Sequence, residues 1–79
     1  MNKTLTPKPI ESVKATTMDF PDAMREVIKG NKVTRLSWGN KDYGHLKNGW
    51  LSIYTKGNHH TWLVNDGDME ANDWVITIK

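Results

Sequence analysis

The chain has 79 residues, no Cys, a formal net charge of +2 and 25% charged residues. A chain this short buries only about 60% of the surface its unfolded form exposes, so one domain of marginal stability is expected. The missing thiols exclude disulfides and thiolate metal sites, leaving oligomerisation as the expected staple, with some of the four Trp buried between subunits.

Apolar runs are short and the N-terminus carries no signal-like apolar stretch, so no membrane association and a cytoplasmic location are expected. The charge is unevenly placed: +2 over residues 1–17, +3 over 18–56 and −3 over 57–79. A compact fold then sets a basic part against an acidic one, which suits a ligand with phosphates at one end and hydroxyl or amino groups at the other.

Residues 1–17 hold Pro7 and Pro9 among Thr, Lys and aperiodic apolar residues, and are predicted to form a flexible or extended arm. The alternative is an edge strand through Ile10 and Val13. Phe20, Ala23, Met24, Val27 and Ile28 then trace one helical stripe, capped by Asp19, opened by Pro21 and Asp22 and stopped at Gly30-Asn31. Alternation from Val33 to Trp38 predicts a strand, and the turn-forming residues from Gly39 to Gly49 predict a loop. Trp50 to Thr55 predicts a second strand, Lys56-Gly57-Asn58 a hairpin turn, and His59 to Val64 a third strand. Asn65 to Asp68 reads as a turn, Met69 to Asn72 as one helical turn, and Trp74 to Ile78 as a fourth strand. The expected fold is α+β, with one N-terminal helix packed on a mostly antiparallel sheet of about four strands and a ligand-binding domain over residues 18–79.

The stretch Met18-Asp-Phe-Pro-Asp-Ala23, Gly30, Val33-Thr-Arg35 and Trp38, followed by Trp62-Leu63 and Asp68-Met69-Glu-Ala71-Asn-Asp73-Trp74, resembles the second type of Thoeris anti-defence protein, a phage family. The C-terminal pattern W-L-x4-D-x2-A-x-D-W is its more specific part. The resemblance implies a non-enzymatic sponge, located in the cytoplasm of an infected bacterial host, that binds glyco-cyclic ADP-ribose signals made by TIR-domain proteins and, in some members, cyclic dinucleotides of CBASS defence. It also implies a homo-tetramer with ligand held between protomers and no cofactor. One departure is Gly39, which stands between Trp38 and Asn40 where the family commonly has Asn directly after the Trp.

Such a ligand needs aromatic planes, carboxylates or amides, and cationic donors. The candidate ligand-binding residues are therefore Arg35, Trp38, Asn65, Asp68, Asn72, Asp73 and Trp74. Arg35 can hold two phosphate oxygens at once, or instead pair across strands with an acid such as Asp73. Trp38 either edges a pocket or packs under the helix, and Trp74 and Trp62 suit structural or interface roles as well as stacking. Trp50, outside the resemblance, is expected in the core or an interface, and four Trp exceed what so small a core needs. Asp68 and Asp73 can accept from ribose hydroxyls or an adenine amino group, and Asp68 can equally cap the turn through Ala71. Asn65 and Asn72 can serve ligand or local structure.

His59 and His60 are adjacent on a strand and point to opposite faces, so the pair cannot readily share a metal. No nucleophile or metal-binding motif is present, and neither catalytic nor metal residues are expected. A nucleotide-degrading enzyme using one of these His, and a nucleic-acid or protein-binding module using Trp50 and Tyr54 as platforms, are the competing readings.

Overall fold

The computed structural model describes residues 16–39 and 41–78. The elements are helix α1 (Phe20–Ile28), strand β1 (Lys32–Arg35), a 3-10 turn (Leu36–Trp38), β2 (Tyr43–Lys47), β3 (Trp50–Thr55), β4 (Asn58–Thr61), helix α2 (Asp66–Glu70) and β5 (Trp74–Thr77). The five strands form one sheet in the order β4-β3-β2-β1-β5, antiparallel at every pairing. The expected α+β architecture is present, with one strand more than the sequence suggested. Most of the predicted arm, including Ile10 and Val13, lies outside the described residues. Met18 nevertheless pairs with Trp74 at the β5 edge, its N–H donating to the Trp74 carbonyl at 2.8 Å.

Helix α1 forms where the stripe predicts it. The Asp19 carboxylate accepts from the Asp22 N–H at 3.1 Å, which satisfies one of the orphan donors of the first turn. Ala23 and Val27 are buried against the sheet, whereas Ile28, expected on the same stripe, is 74% exposed. The helix packs on β1, β2, β5 and α2.

The core unites Ala23, Val27, Val33, Trp62, Ala71 and Trp74, with Met18, Phe20, Met24, Trp38, Leu51, Ile53 and Val64 packed against them. Trp38 meets Trp74 edge-on with ring centroids 5.3 Å apart and Trp62 at 6.3 Å, while Trp62 and Trp74 lie 5.6 Å apart. Aromatic pairs favour such offset and edge-to-face arrangements, since the rim of one ring is positive and the face of the next is negative. The Trp content exceeds the needs of the core by one, as the sequence suggested. Trp38, Trp62 and Trp74 are all used there, and Trp50, at 76% exposed, is not a core residue of the protomer.

The segment predicted as a loop from Gly39 to Gly49 contains β2, and the reason is local. Asn48 and Gly49 adopt positive φ of 54° and 83°, closing a two-residue hairpin between the paired residues Lys47 and Trp50. Gly44, counted among the turn residues, lies inside the strand directly beneath the Trp62 ring, and a Cβ there would overlap the indole. The third predicted strand ends earlier, at Thr61, and the helical turn expected at Met69 to Asn72 is α2, starting at Asp66.

Pleating divides the sheet into two faces. Val33, Gly44, Leu51, Ile53 and Trp74 face the helix and core, while Lys32, Tyr43, His45, Lys47, Trp50, Tyr54 and His59 share the opposite face.

Candidate functional site

The expected site residues converge where β1, α2 and the start of β5 meet. Arg35 ends β1, and its register partner on β5 is Trp74, so the side chain reaches Asp73 immediately before that strand. Arg35 Nε donates to Asp73 Oδ1 at 2.8 Å, and Nη1 lies 3.8 Å from Asp68 Oδ1. The other Asp73 oxygen accepts from the Ser37 N–H at 3.0 Å, which fixes the 3-10 turn that carries Trp38. The guanidinium carbon sits 5.9 Å from the centroid of the Trp74 ring, within cation–π range.

Asp68 is 5% exposed and is the hub of the cluster. Its Oδ2 accepts from Trp62 Nε1 and from the Asn65 N–H, both at 3.3 Å. The Asn65 side chain accepts in return from the Asp68 N–H at 2.8 Å, a reciprocal capping box at the start of α2. The cap is thus Asn65, with Asp68 three residues inside the helix, which corrects the reading of Asp68 as the cap of a turn through Ala71. Trp74 Nε1 donates to the Asp68 carbonyl at 3.2 Å.

The spaced motif now has a physical reading. Trp62 and Asn65 hold the Asp68 carboxylate, Ala71 is small enough to be buried in the core, Asp73 orients Arg35, and Trp74 fills the core behind them. Among the described residues every buried side-chain nitrogen and oxygen has a hydrogen-bond partner. Partial burial opposes the charge on Asp73, but the hydrogen bonds from Arg35 and the Ser37 backbone outweigh it and hold its carboxyl below the usual range.

Of the two readings open for Arg35, the cross-strand pairing is the one formed. A phosphate approaching it would share one guanidinium with two carboxylates. Trp74 has no exposed surface and Asp68 almost none, whereas Asn65 and Asn72 are exposed and Trp38 and Asp73 are half-buried. Sequence reasoning did not place Ser37 in this network; its contribution comes from the backbone, which has no signature in residue type.

The opposite face of the sheet carries a second cluster that sequence reasoning did not assemble. Tyr43 and Tyr54 are cross-strand partners with rings stacked 5.1 Å apart, and His59 meets Tyr54 at 4.9 Å. Lys32 Nζ lies 4.9 Å from the centroid of the Tyr43 ring. His45 Nε2 and His59 Nδ1 are 3.2 Å apart, so His59 faces another imidazole rather than an acid. Burial first, then the neighbouring His59, Lys32 and Lys47, holds the His45 imidazole below its ordinary range. His60 points to the other side of β4, as the alternation predicts.

An open apolar cleft at the β5 edge is lined by Thr16, Met18, Val75 and Ile76 and contains none of the expected site residues. Among the described residues no helix is long and apolar enough to cross a membrane.

Fold and site together define a small α+β module whose most specific residues are spent on an interlocked tryptophan–carboxylate–arginine clasp. The model of the Thoeris anti-defense 2-like (Tad2-like) domain matches residues 18–77, and the chain belongs to that family. It is a Tad2-like anti-defence domain, as the sequence resemblance implied. Comparison with curated proteins finds no match.

Proposed function

We propose that this protein sequesters a cyclic nucleotide immune signal, the glyco-cyclic ADP-ribose of Thoeris or a cyclic dinucleotide of CBASS, and does so without cleaving it. The observation that carries this reading is the family match across residues 18–77.

The geometry of the clasp supports a ligand shared between protomers of a homo-oligomer. Arg35 with Asp68 and Asp73 sums to an excess of one negative charge, so a diphosphate held there needs further donors. A second protomer supplies them without changing the fold. The residues beside the clasp have the character of a contact surface: Leu36 is 55% exposed, Leu63 81% and Met69 51%. In this reading Arg35, Trp38, Asn72 and Asp73 face the ligand, while Asn65, Asp68 and Trp74 set their positions from behind. The family resemblance implies a tetramer, and that assembly is the form proposed.

Sequestration acts by mass action, so a signal at micromolar concentration requires roughly −8 kcal/mol of binding free energy or better. Isothermal titration with glyco-cyclic ADP-ribose and a panel of cyclic dinucleotides tests this. Saturable submicromolar binding of one of them is expected, together with a mass in solution above that of the protomer. Absence of binding across the panel would overturn the proposal.

A second reading is favoured by the opposite face, where Lys32, Lys47, Trp50, Tyr54 and the two His stand together and no strand residue of that face is acidic. Such a surface can stack single-stranded bases while lysines meet phosphates. It predicts affinity for single-stranded DNA or RNA that falls steeply with salt, and the absence of binding at low salt removes it.

A further inference from the structure

The sequence offers no thiol with which to staple so small a domain, yet the register of the sheet brings two imidazoles together on its helix-free face. His45 lies on β2 and His59 on β4, with β3 running between them. Direct cross-strand pairing sets His45 opposite Ser52 and Tyr54 opposite His59, so the two rings meet diagonally above β3. Ser52 is small, and its hydroxyl is turned to the Trp50 carbonyl at 3.1 Å, which leaves the space above it to the imidazoles. Tyr43 packs against both rings and Tyr54 against that of His59, restricting their rotation.

We propose that His45 Nε2 and His59 Nδ1 chelate a late transition-metal dication such as Zn²⁺ or Ni²⁺. The two nitrogens are 3.2 Å apart. Two imidazole ligands at about 2.0–2.1 Å from a tetrahedral Zn²⁺ lie about 3.4 Å from each other, so the observed spacing matches a shared ion once both rings turn their lone pairs onto it. Imidazole nitrogen suits this class of cation better than Mg²⁺ or Ca²⁺, which prefer oxygen. Among the described residues no group of three or more His, Cys, Asp or Glu could hold a metal, so the site is bidentate and water completes the coordination. The ion ties edge strand β4 to β2 across β3. This differs from a site built on the neighbours His59 and His60, which the pleat separates.

The test uses the full chain without a histidine tag, titrated with ZnCl₂ and with NiCl₂ at about pH 7.5. Calorimetry and thermal unfolding are both read. Saturable binding with a rise in Tm is expected. His45→Gln and His59→Gln are each expected to weaken binding by at least about tenfold, with His60→Gln unchanged. All three positions are at the surface or half-buried, and the unligated Tm of each variant shows that it folds. Absence of saturable binding, or equal binding by wild type and His45→Gln, overturns the proposal and leaves the contact as a hydrogen bond between imidazoles.

Discussion

The two faces of the sheet solve opposite problems. On the helix side Trp62, Trp74, Asp68 and Arg35 interlock through hydrogen bonds and ion pairs. On the other side Tyr43, His45, Tyr54 and His59 form an aromatic surface that no helix among the described residues covers, with Trp50 on the same face and 76% exposed. The contrast teaches that a residue pattern specific enough to mark a family can be mainly a folding device. The clasp uses its charges internally, and residues with capacity to spare lie at its rim and across the sheet.

Substitution of one tryptophan from each face breaks the comparison most sharply. Trp74→Ala removes the largest fully buried side chain and is expected to cost about 3–5 kcal/mol, enough to unfold a marginal domain. Trp50→Ala should stay within about 0.5 kcal/mol in the protomer, and urea unfolding at low protein concentration reads both. Equal losses would mean the two faces are not energetically distinct. Next in size is Arg35→Ala, which deprives Asp73 of a charge-assisted hydrogen bond and the nearly buried Asp68 of its cation. It should destabilise by about 2 kcal/mol, even without ligand. A variant that loses ligand affinity while keeping full stability would show that the Arg35 pairing contributes nothing to the fold. Gly44→Ala, which drives a methyl group into the Trp62 ring, should cost about 1–3 kcal/mol although it deletes nothing.

A pH series sharpens the role of Asp73. Its folded-state carboxyl titrates below its unfolded value, so its contribution is fully present above about pH 4 and is lost as pH falls through the folded value. The stability gap between wild type and Asp73→Asn should therefore narrow on acidification below about pH 4, as read by urea midpoints. A gap independent of pH would assign the effect to packing. The smallest expected effect on the fold is that of the exposed Asn72→Ala, within about 0.5 kcal/mol, while signal binding weakens by about fivefold if its amide meets the ligand.

Much of this fold was legible wherever one periodicity ran unbroken. The stripe from Phe20 to Val27 specified α1, and Asp19 and Gly30 marked its ends. β2 was hidden because Gly44 and the Asn48-Gly49 turn read as loop chemistry. Only the tertiary position of Trp62 explains why a strand needs glycine there. Helix α2 was displaced because Gly67 masked the reciprocal Asn65–Asp68 cap. Within the candidate site, the Arg35–Asp73 pair was foreseeable as one of two options, since opposite charges at the ends of strands can meet. The His45–His59 contact was not foreseeable, because it spans an intervening strand and depends on two hairpin registers at once.

Capture without turnover is decided by the fate of the bound signal. Whichever of glyco-cyclic ADP-ribose and the cyclic dinucleotides binds in the titration is incubated with a molar excess of protein, unbound material is removed, the protein is denatured by heat, and the released nucleotide is chromatographed. Retention on the native protein and recovery of the intact cyclic compound after heating are expected. Recovery of a cleaved product would contradict capture without turnover.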